Sequence, residues 1–460
     1  MAERPVLIDG YQFLRPNGTG IASYVRTLTS MLKASGCSVS MLFGQRFKPK
    51  PTMAPGAVSA AVFSREIKPS GILGYVEAAA LGASVVTGGA FRAKMDVIDQ
   101  SGVDLRAVEP PLPQFDQILN SNLLYSRANK VFYVSSRFTQ IAAQADDRKF
   151  QLAHWTAPVP VRMRGVPNVD TLLDLIPLPF PYLGIGYGER MFKMHQLIGR
   201  DGDHIITVSE ASKRAIVEML KVPEERVSVT YQPVPSLPYV ERADAERLVE
   251  TVYGVKAGQY ALFLGALEPK KNIKRLIESY LLANLDIPLL LAGPLGWLYD
   301  EDLELMEAVN KARRAMGGAT SLVRQLGFLP RRHIVALLKC AKFFVFPSIY
   351  EGFGLPVIEA MQLGVPVLTS NTSSLPEVAG DAAVLVDPLS VPAITTGLRK
   401  LNSDSDLRAE LARRGPLQAA TFSTDACRGL LAEAYKKVGV TLDPVPVPPE
   451  RHAAPARIAA

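Results

Sequence analysis

Short runs of apolar and β-branched residues alternate along this chain with amphipathic stretches of helical length. That alternation is the signature of parallel sheets covered by helices on both faces. In the first half the runs are Val6–Asp9, Val39–Phe43, Lys130–Val134, Val169–Asp174 and His204–Ser209. In the second half they are Tyr260–Gly265, Pro288–Gly293, Lys342–Phe346, Val365–Ser370 and Ala383–Val386. A length of 460 residues exceeds one ordinary core, and suits two domains of about 200 residues each with a tail left over. The expected class is α/β, with two Rossmann-like doubly wound domains.

The segment Tyr231–Tyr239, YQPVPSLPY, is proline-rich and carries neither helical nor strand periodicity, which makes it the expected linker. The expected division is residues 1–235, residues 236–420, a helix within 421–440, and a tail at 441–460 whose prolines and alanines cannot supply a packed core. A hydrophobic share of 48% provides ample apolar surface without disulfides or a structural metal. The three cysteines, Cys37, Cys340 and Cys427, lack CxxC spacing and an even count, so a reducing, cytoplasmic compartment fits best. The opening MAERPVLIDG reads as a first strand, not as a signal peptide.

A net charge of +7 suits an anionic partner. No zinc-finger spacing, RNA-binding motif or aromatic-interleaved basic stripe is present, so nucleic acid is not expected. Gly71–Phe91 is largely apolar, with Glu77 its only charge, but its glycines, serines and threonines break it up. A buried helix and loop is the expected reading. The flanking Lys68, Arg92 and Lys94 leave open a peripheral contact with acidic headgroups at the inner face of the plasma membrane.

The most informative segment is Phe346–Glu359, FPSIYEGFGLPVIE. A strand ends at Phe346, a glycine-containing turn follows, and a helix starts near Leu355 with Pro356 in its first turn, where a missing N–H costs nothing. Gly352 and Gly354 allow close backbone approach, and the amides of the helix start suit a diphosphate. Glu351 and Glu359 flank that turn. On the residues alone, a helix that begins with a Gly-Pro turn and carries a solvated glutamate fits as well.

These residues resemble the EX7E signature of the family 4 retaining glycosyltransferases, enzymes of the GT-B fold in which two Rossmann-like domains face each other across a cleft. The resemblance implies that Glu351 contacts the transferred sugar and Glu359 the ribose of the nucleotide, with Gly352, Phe353, Gly354 and Leu355 between them in the donor site. Gly265–Asn272, GALEPKKN, resembles the family's strand-turn-lysine motif, in which the counterpart of Lys271 binds the donor pyrophosphate. Many relatives have an arginine where this chain has Ala266, and Lys270 is placed to compensate. Lys271→Ala is accordingly expected to weaken donor binding with little effect on folding.

The resemblance extends to the first half. Asn17–Tyr24, NGTGIASY, occupies the place of the family's glycine-rich loop, which puts Gly18 and Gly20 near the donor phosphates, although a tight strand-to-helix turn explains it equally. Asn168–Pro181 matches a T-x-H-D-L-I-P-L core at Thr171, Asp174, Leu175, Ile176, Pro177 and Leu178, with Leu173 at the histidine position and Asp174 a candidate catalytic residue. His154 is an alternative cleft histidine or a structural one. Ser209, Glu210 and Lys213 read as the start of a helix. The helix at 421–440 is expected to pack back on the N-terminal domain.

The EPKKN and DLIPL forms look like those of bacterial polysaccharide mannosyltransferases using GDP-mannose. The function implied is retaining transfer of mannose or a related hexose from a nucleotide-diphosphate sugar to a glycan or polyprenyl-linked acceptor. No cofactor is expected, and no metal, since no DxD-like pair ends a first-domain strand. Two rivals stand beside this reading. Leu173 and Ala266 suit a catalytically inactive GT-B protein that binds nucleotide or glycan. A nicotinamide-dependent dehydrogenase shares the fold class but needs GxGxxG and a downstream acid, whereas Ser23 stands at the third glycine and Phe43–Gly44 lacks the acid.

Overall fold

The computed structural model describes residues 4–14, 20–46, 92–98, 115–142, 144–145, 148–175, 188–234, 237–315 and 321–443. The described residues fall into two compact units. One takes its residues from 4–208, 213–233 and 424–443, the other from 209–212 and 234–423. The apolar stretch Gly71–Phe91, the loop residue Gly18, the segment Ile176–Pro181 and the tail from 444 onward lie outside the described residues.

The first unit is built on one eight-stranded sheet. Its strands are β1 (Arg4–Asp9), β2 (Cys37–Phe43), β3 (Asp96–Ile98), β4 (Gln117–Asn120), β5 (Leu152–Trp155), β6 (Asn168–Thr171), β7 (His204–Thr207) and β8 (Val227–Val229). They lie in the order β8-β7-β6-β5-β1-β2-β4-β3. All pairs are parallel except β3 with β4. The strands are buried because helices cover them, which is why they read as continuous apolar runs. Helix α1 (Gly20–Ala34) follows β1, so Gly20 opens a helix.

The run Lys130–Val134, expected as a strand, belongs instead to helix α2 (Leu124–Ser135). Leu124, Tyr125, Ala128, Val131 and Phe132 are its buried residues, a spacing of three and four that only a helix places on one face. Tyr133 and Val134 point outward at 67% and 63% exposure. The β-branched and aromatic composition misleads here because tertiary burial of the other face decides the conformation.

Helices α3 (Gly188–Asp201) and α4 (Glu210–Leu220) follow in the chain, and α4 starts at Glu210 as its sequence suggests. The strand expected to reach Asp174 ends at Thr171, leaving Leu173 and Asp174 in the segment just beyond β6.

In the second unit the chain runs α5 (Arg242–Tyr253), β9 (Ala261–Leu264), α6 (Ile273–Ala283), β10 (Leu289–Ala292), α7 (Asp300–Ala315), β11 (Val323–Gly327), α8 (Arg331–Cys340) and β12 (Phe343–Phe346). It continues through α9 (Leu355–Gln362), β13 (Val367–Ser370), α10 (Leu375–Ala379), β14 (Ala383–Val386), α11 (Val391–Ser403) and α12 (Ser405–Ala420). The six parallel strands have the order β11-β10-β9-β12-β13-β14. That is the doubly wound dinucleotide-fold order, and its direction reverses between β9 and β12. Ligands of such sheets bind outside the carboxyl ends of the strands at that reversal.

The last described helix, α13 (Thr424–Lys436), clusters with the first unit. Its Tyr435 hydroxyl lies 2.7 Å from His154 Nδ1, and His154 Nε2 lies 2.7 Å from Thr171 Oγ1, which in turn meets the Tyr24 hydroxyl at 3.1 Å. His154 is completely buried in β5 with both ring nitrogens engaged, and burial pushes its pKa down to about 3. It is a neutral structural residue that ties α1, β5, β6 and α13 together.

Candidate active site

The two strands flanking the reversal deliver the candidate residues. After β9 the chain turns through Gly265, a short 3-10 turn at Pro269–Lys271, and Asn272 in left-handed conformation (φ 62°) before α6 begins. Asparagine tolerates that region because its short amide bonds locally. Here the Asn272 amide donates to the carbonyls of Pro347 at 3.0 Å and Pro388 at 2.6 Å, pinning the lysine turn against the loops that follow β12 and β14. Ile349 N–H donates to the Lys270 carbonyl at 2.8 Å, a second tie between the β9 and β12 loops.

This register brings Lys271 and Glu351 together although 80 positions separate them. Lys271 Nζ donates to Glu351 Oε1 at 2.6 Å, with the two side chains only 11% and 9% exposed. The ammonium also sits 4.7 Å from the centroid of the Phe346 ring, which is stacked on Phe263 and Phe344. Burial alone would raise the Glu351 pKa, but the charges of Lys271 and Lys270 together with hydrogen bonds to its carboxylate hold it below its ordinary value. Glu351 is therefore a carboxylate at neutral pH. Lys270 Nζ lies 3.4 Å from Glu268 Oε1 at the edge of the same turn.

The segment from Glu351 to α9 is fixed by serines and threonines of the following loop. Ser373 accepts from the Glu351 N–H at 3.1 Å, and the Ser374 hydroxyl lies within bonding distance of the carbonyls of Glu351 and Phe353, at 3.0 and 2.8 Å. Gly354 caps α9 at φ 109°, where a Cβ would be strained and would approach Leu375 Cδ2 to 2.8 Å. Pro356 stands in the first turn. Gly352 and Gly354 are buried backbone, Leu355 is partly exposed, and the Phe353 ring packs edge-on against Phe422 at 5.4 Å. Phe353 thus has a core side chain, and only its backbone faces the turn's chemistry. Pro356 has no N–H and the Val357 N–H donates to the Gly354 carbonyl at 3.0 Å, so what the start of α9 offers an anion is chiefly the positive end of the helix dipole.

Glu359 projects from α9 and is held by Arg331, the first residue of α8. The guanidinium forks onto both carboxylate oxygens, at 2.7 and 3.1 Å. Gly20 and Asp174 stand in the first unit, and Gly18 lies outside the described residues.

Three contributors were not singled out from the sequence. Arg331 and Asn272 are two; Gly293 is the third. At φ 151° a Cβ on Gly293 would stand 2.0 Å from the Gly265 carbonyl oxygen, so only glycine lets the β10 loop pass against the β9 loop. A cation at a helix start without an acid in that turn was the available signal for Arg331. Among the described residues no cluster of three His, Cys, Asp or Glu side chains has metal-binding geometry.

Two Rossmann-like domains, one with its reversal occupied by a lysine, a carboxylate and a glycine-opened helix, define the GT-B glycosyltransferase fold. Residues 254–418 match the family model described as Glycosyl transferases group 1. O-antigen chain mannosyltransferase B of Escherichia coli is 39% identical over 237 residues, which cover 50% of this chain and 60% of that protein. The serotype-specific mannosyltransferase WbdA of Escherichia coli is 32% identical over 289 residues, 62% of this chain and 35% of that protein. The matches therefore span between about a third and three fifths of these relatives' length. Among solved structures, a sucrose-phosphate synthase from Thermosynechococcus elongatus superposes with a TM-score of 0.61 at 16% identity, covering 95% of this chain and 99% of that one. WaaG, a glycosyltransferase involved in lipopolysaccharide biosynthesis, superposes at 0.55 and 15% identity, covering 95% and 100%. The chain has the GT-B fold, and its second domain matches the glycosyl transferases group 1 family over residues 254–418.

Proposed function

We propose that the chain is a retaining hexosyltransferase that moves mannose, or a related hexose, from a nucleotide-diphosphate sugar to a glycan or polyprenyl-linked glycan acceptor in surface polysaccharide synthesis. The observation that carries this reading is the buried Lys271–Glu351 pair at the reversal of the second sheet, just ahead of the start of α9. The names of the relatives, O-antigen and serotype-specific mannosyltransferases, favour mannose and hence GDP-mannose as the donor. They lend no support to an inactive protein.

In this proposal the donor diphosphate lies at the start of α9, where Lys271 and the helix dipole stabilise the charge that grows as the sugar leaves. The Glu351 carboxylate supports the positive character developing on the sugar ring. The bond from the anomeric carbon to the phosphate oxygen breaks as the bond to the acceptor oxygen forms on the same face. The acceptor proton passes to the leaving phosphate, so no strong protein base is required and Leu173 is tolerated. Asp174, Gly18 and Gly20 keep the first-domain roles that the resemblance assigns them, and Glu359 holds the ribose.

Lys271 and the helix start take the part a divalent cation plays in other transferases, so addition of EDTA should leave activity intact. A strict requirement for magnesium or manganese would overturn that part of the mechanism. The donor is found by a thermal-shift screen against GDP-, UDP-, dTDP- and ADP-sugars, since a ligand at a hundredfold its Kd adds roughly 2.7 kcal/mol to stability. The expected stabiliser is the GDP-sugar. No shift with any of the four would count against a nucleotide-sugar site.

Peripheral residence on the cytoplasmic face of the membrane belongs to the same proposal. It is supported by the net charge of +7 and by three buried cysteines, none of which forms a disulfide. No helix among the described residues is long and apolar enough to cross a membrane.

A further inference from the structure

Glu359, which the proposed function assigns to the ribose, already has an occupant. Arg331 Nη2 donates to Oε1 at 2.7 Å and Nη1 to Oε2 at 3.1 Å, so the guanidinium takes the facing lone pair of each oxygen. The remaining lone pairs of a carboxylate forked in this way point to opposite sides, and two adjacent hydroxyls cannot reach both at once. A vicinal diol needs the same edge that Arg331 occupies. The pair is asymmetric in its exposure, because the Glu359 side chain is 11% exposed and that of Arg331 is 45% exposed. The arginine has water to move into and the glutamate does not.

The local structure explains why Arg331 is drawn to that position. Helix α8 opens with Arg331, Arg332 and His333, has Pro330 at its cap without a side-chain bond, and carries no acid in its first turn. Positive side chains are disfavoured at a helix start unless an anion compensates them. Glu359 is the anion.

Resting on the donor-site reading, we infer that Arg331 is a further determinant of nucleotide affinity: it forks onto Glu359 and must yield that carboxylate edge to the ribose. Affinity for the donor is then lowered by whatever the fork is worth, and removing the fork raises it. A half-exposed but bidentate pair places the gain at about three- to tenfold.

The test is titration calorimetry of the full chain with GDP and UDP, and with 2′,3′-dideoxy-GDP, on the parent, Arg331→Ala, Arg331→Gln, Glu359→Gln and the Arg331→Ala/Glu359→Gln double variant. Thermal unfolding identifies which variants are folded. The expected result is tighter GDP binding in both Arg331 variants, unchanged binding of the dideoxy nucleotide, and disappearance of the gain in the double variant. Equal or weaker GDP binding in the Arg331 variants, with Glu359→Gln still impairing it, would overturn the competition while leaving the ribose assignment standing. Indifference of both nucleotides to Glu359→Gln, or no binding of either, would overturn the donor-site reading and the competition with it.

Discussion

Lys271→Ala should destabilise the unliganded protein by about 3–5 kcal/mol, because it strands the Glu351 carboxylate in a site where that carboxylate is 9% exposed. The variant also loses a 2.6 Å charge-assisted bond and the contact of the ammonium with the Phe346 ring. Judged from the sequence, this lysine is a surface cation that waits for an anion, and its removal would spare folding. The structure changes that expectation, since Lys271 is as much a part of the second domain's interior as of its site. Urea denaturation without ligand measures the first effect, and nucleotide titration of the folded fraction measures the second. A variant as stable as the parent would mean that Glu351 finds another counter-charge, with Lys270 the candidate.

Glu351→Gln should lower kcat by about 30-fold to nearly a thousandfold, the range expected when one charge-assisted contact worth about 2–4 kcal/mol is lost in a closed site. Glutamine keeps an oxygen for Lys271 Nζ, which separates the catalytic loss from the folding loss. Lys271 and Lys270 hold the Glu351 carboxyl below its ordinary pKa despite its burial, so its charge persists as pH falls toward the usual carboxylate range. The stability this charge contributes is present above the unfolded-state pKa and is lost as pH falls through the depressed one. No limb of the pH–rate profile above that range should therefore belong to Glu351. Steady-state kinetics of parent and variant across pH measure both points, and an unchanged kcat would remove Glu351 from the reaction.

Much of the second domain was legible because β9 and β12 are fully buried and read as unbroken apolar runs, whereas β11, VRQLG, is partly exposed and escaped notice. Tyr260–Gly265 and Lys342–Phe346 contain β9 and β12 nearly to the residue. The glycine turn and the lysine turn were legible for a related reason: each joins the end of such a strand to an amphipathic helix, and the chemistry of a helix start is local.

What the sequence hid is mostly pairing across distance. Nothing near Lys271 in the chain shows that it is buried against Glu351, and nothing near Glu359 shows Arg331. Short strands such as Val227–Val229 and Leu152–Trp155 escaped notice, the latter because His154 breaks the apolar pattern. That histidine is accommodated by Thr171 and Tyr435, the second of which is 281 positions away. The run Lys130–Val134 shows the opposite failure, in which strand-like residues follow a helix because the buried face spans its neighbours.

The Lys271–Glu351 site is proposed to transfer a sugar from a nucleotide with retention of configuration. The direct measurement is proton NMR of purified full chain incubated with GDP-mannose and methyl α-mannoside as a probe acceptor, with Glu351→Gln in parallel and UDP-, dTDP- and ADP-sugars as alternative donors. The expected result is release of the nucleoside diphosphate, an α-linked product from the α-linked donor, and slowing of both by about 30-fold or more in the variant. Binding of a sugar nucleotide with neither hydrolysis nor transfer, a β-linked product, or turnover unchanged by Glu351→Gln would contradict it.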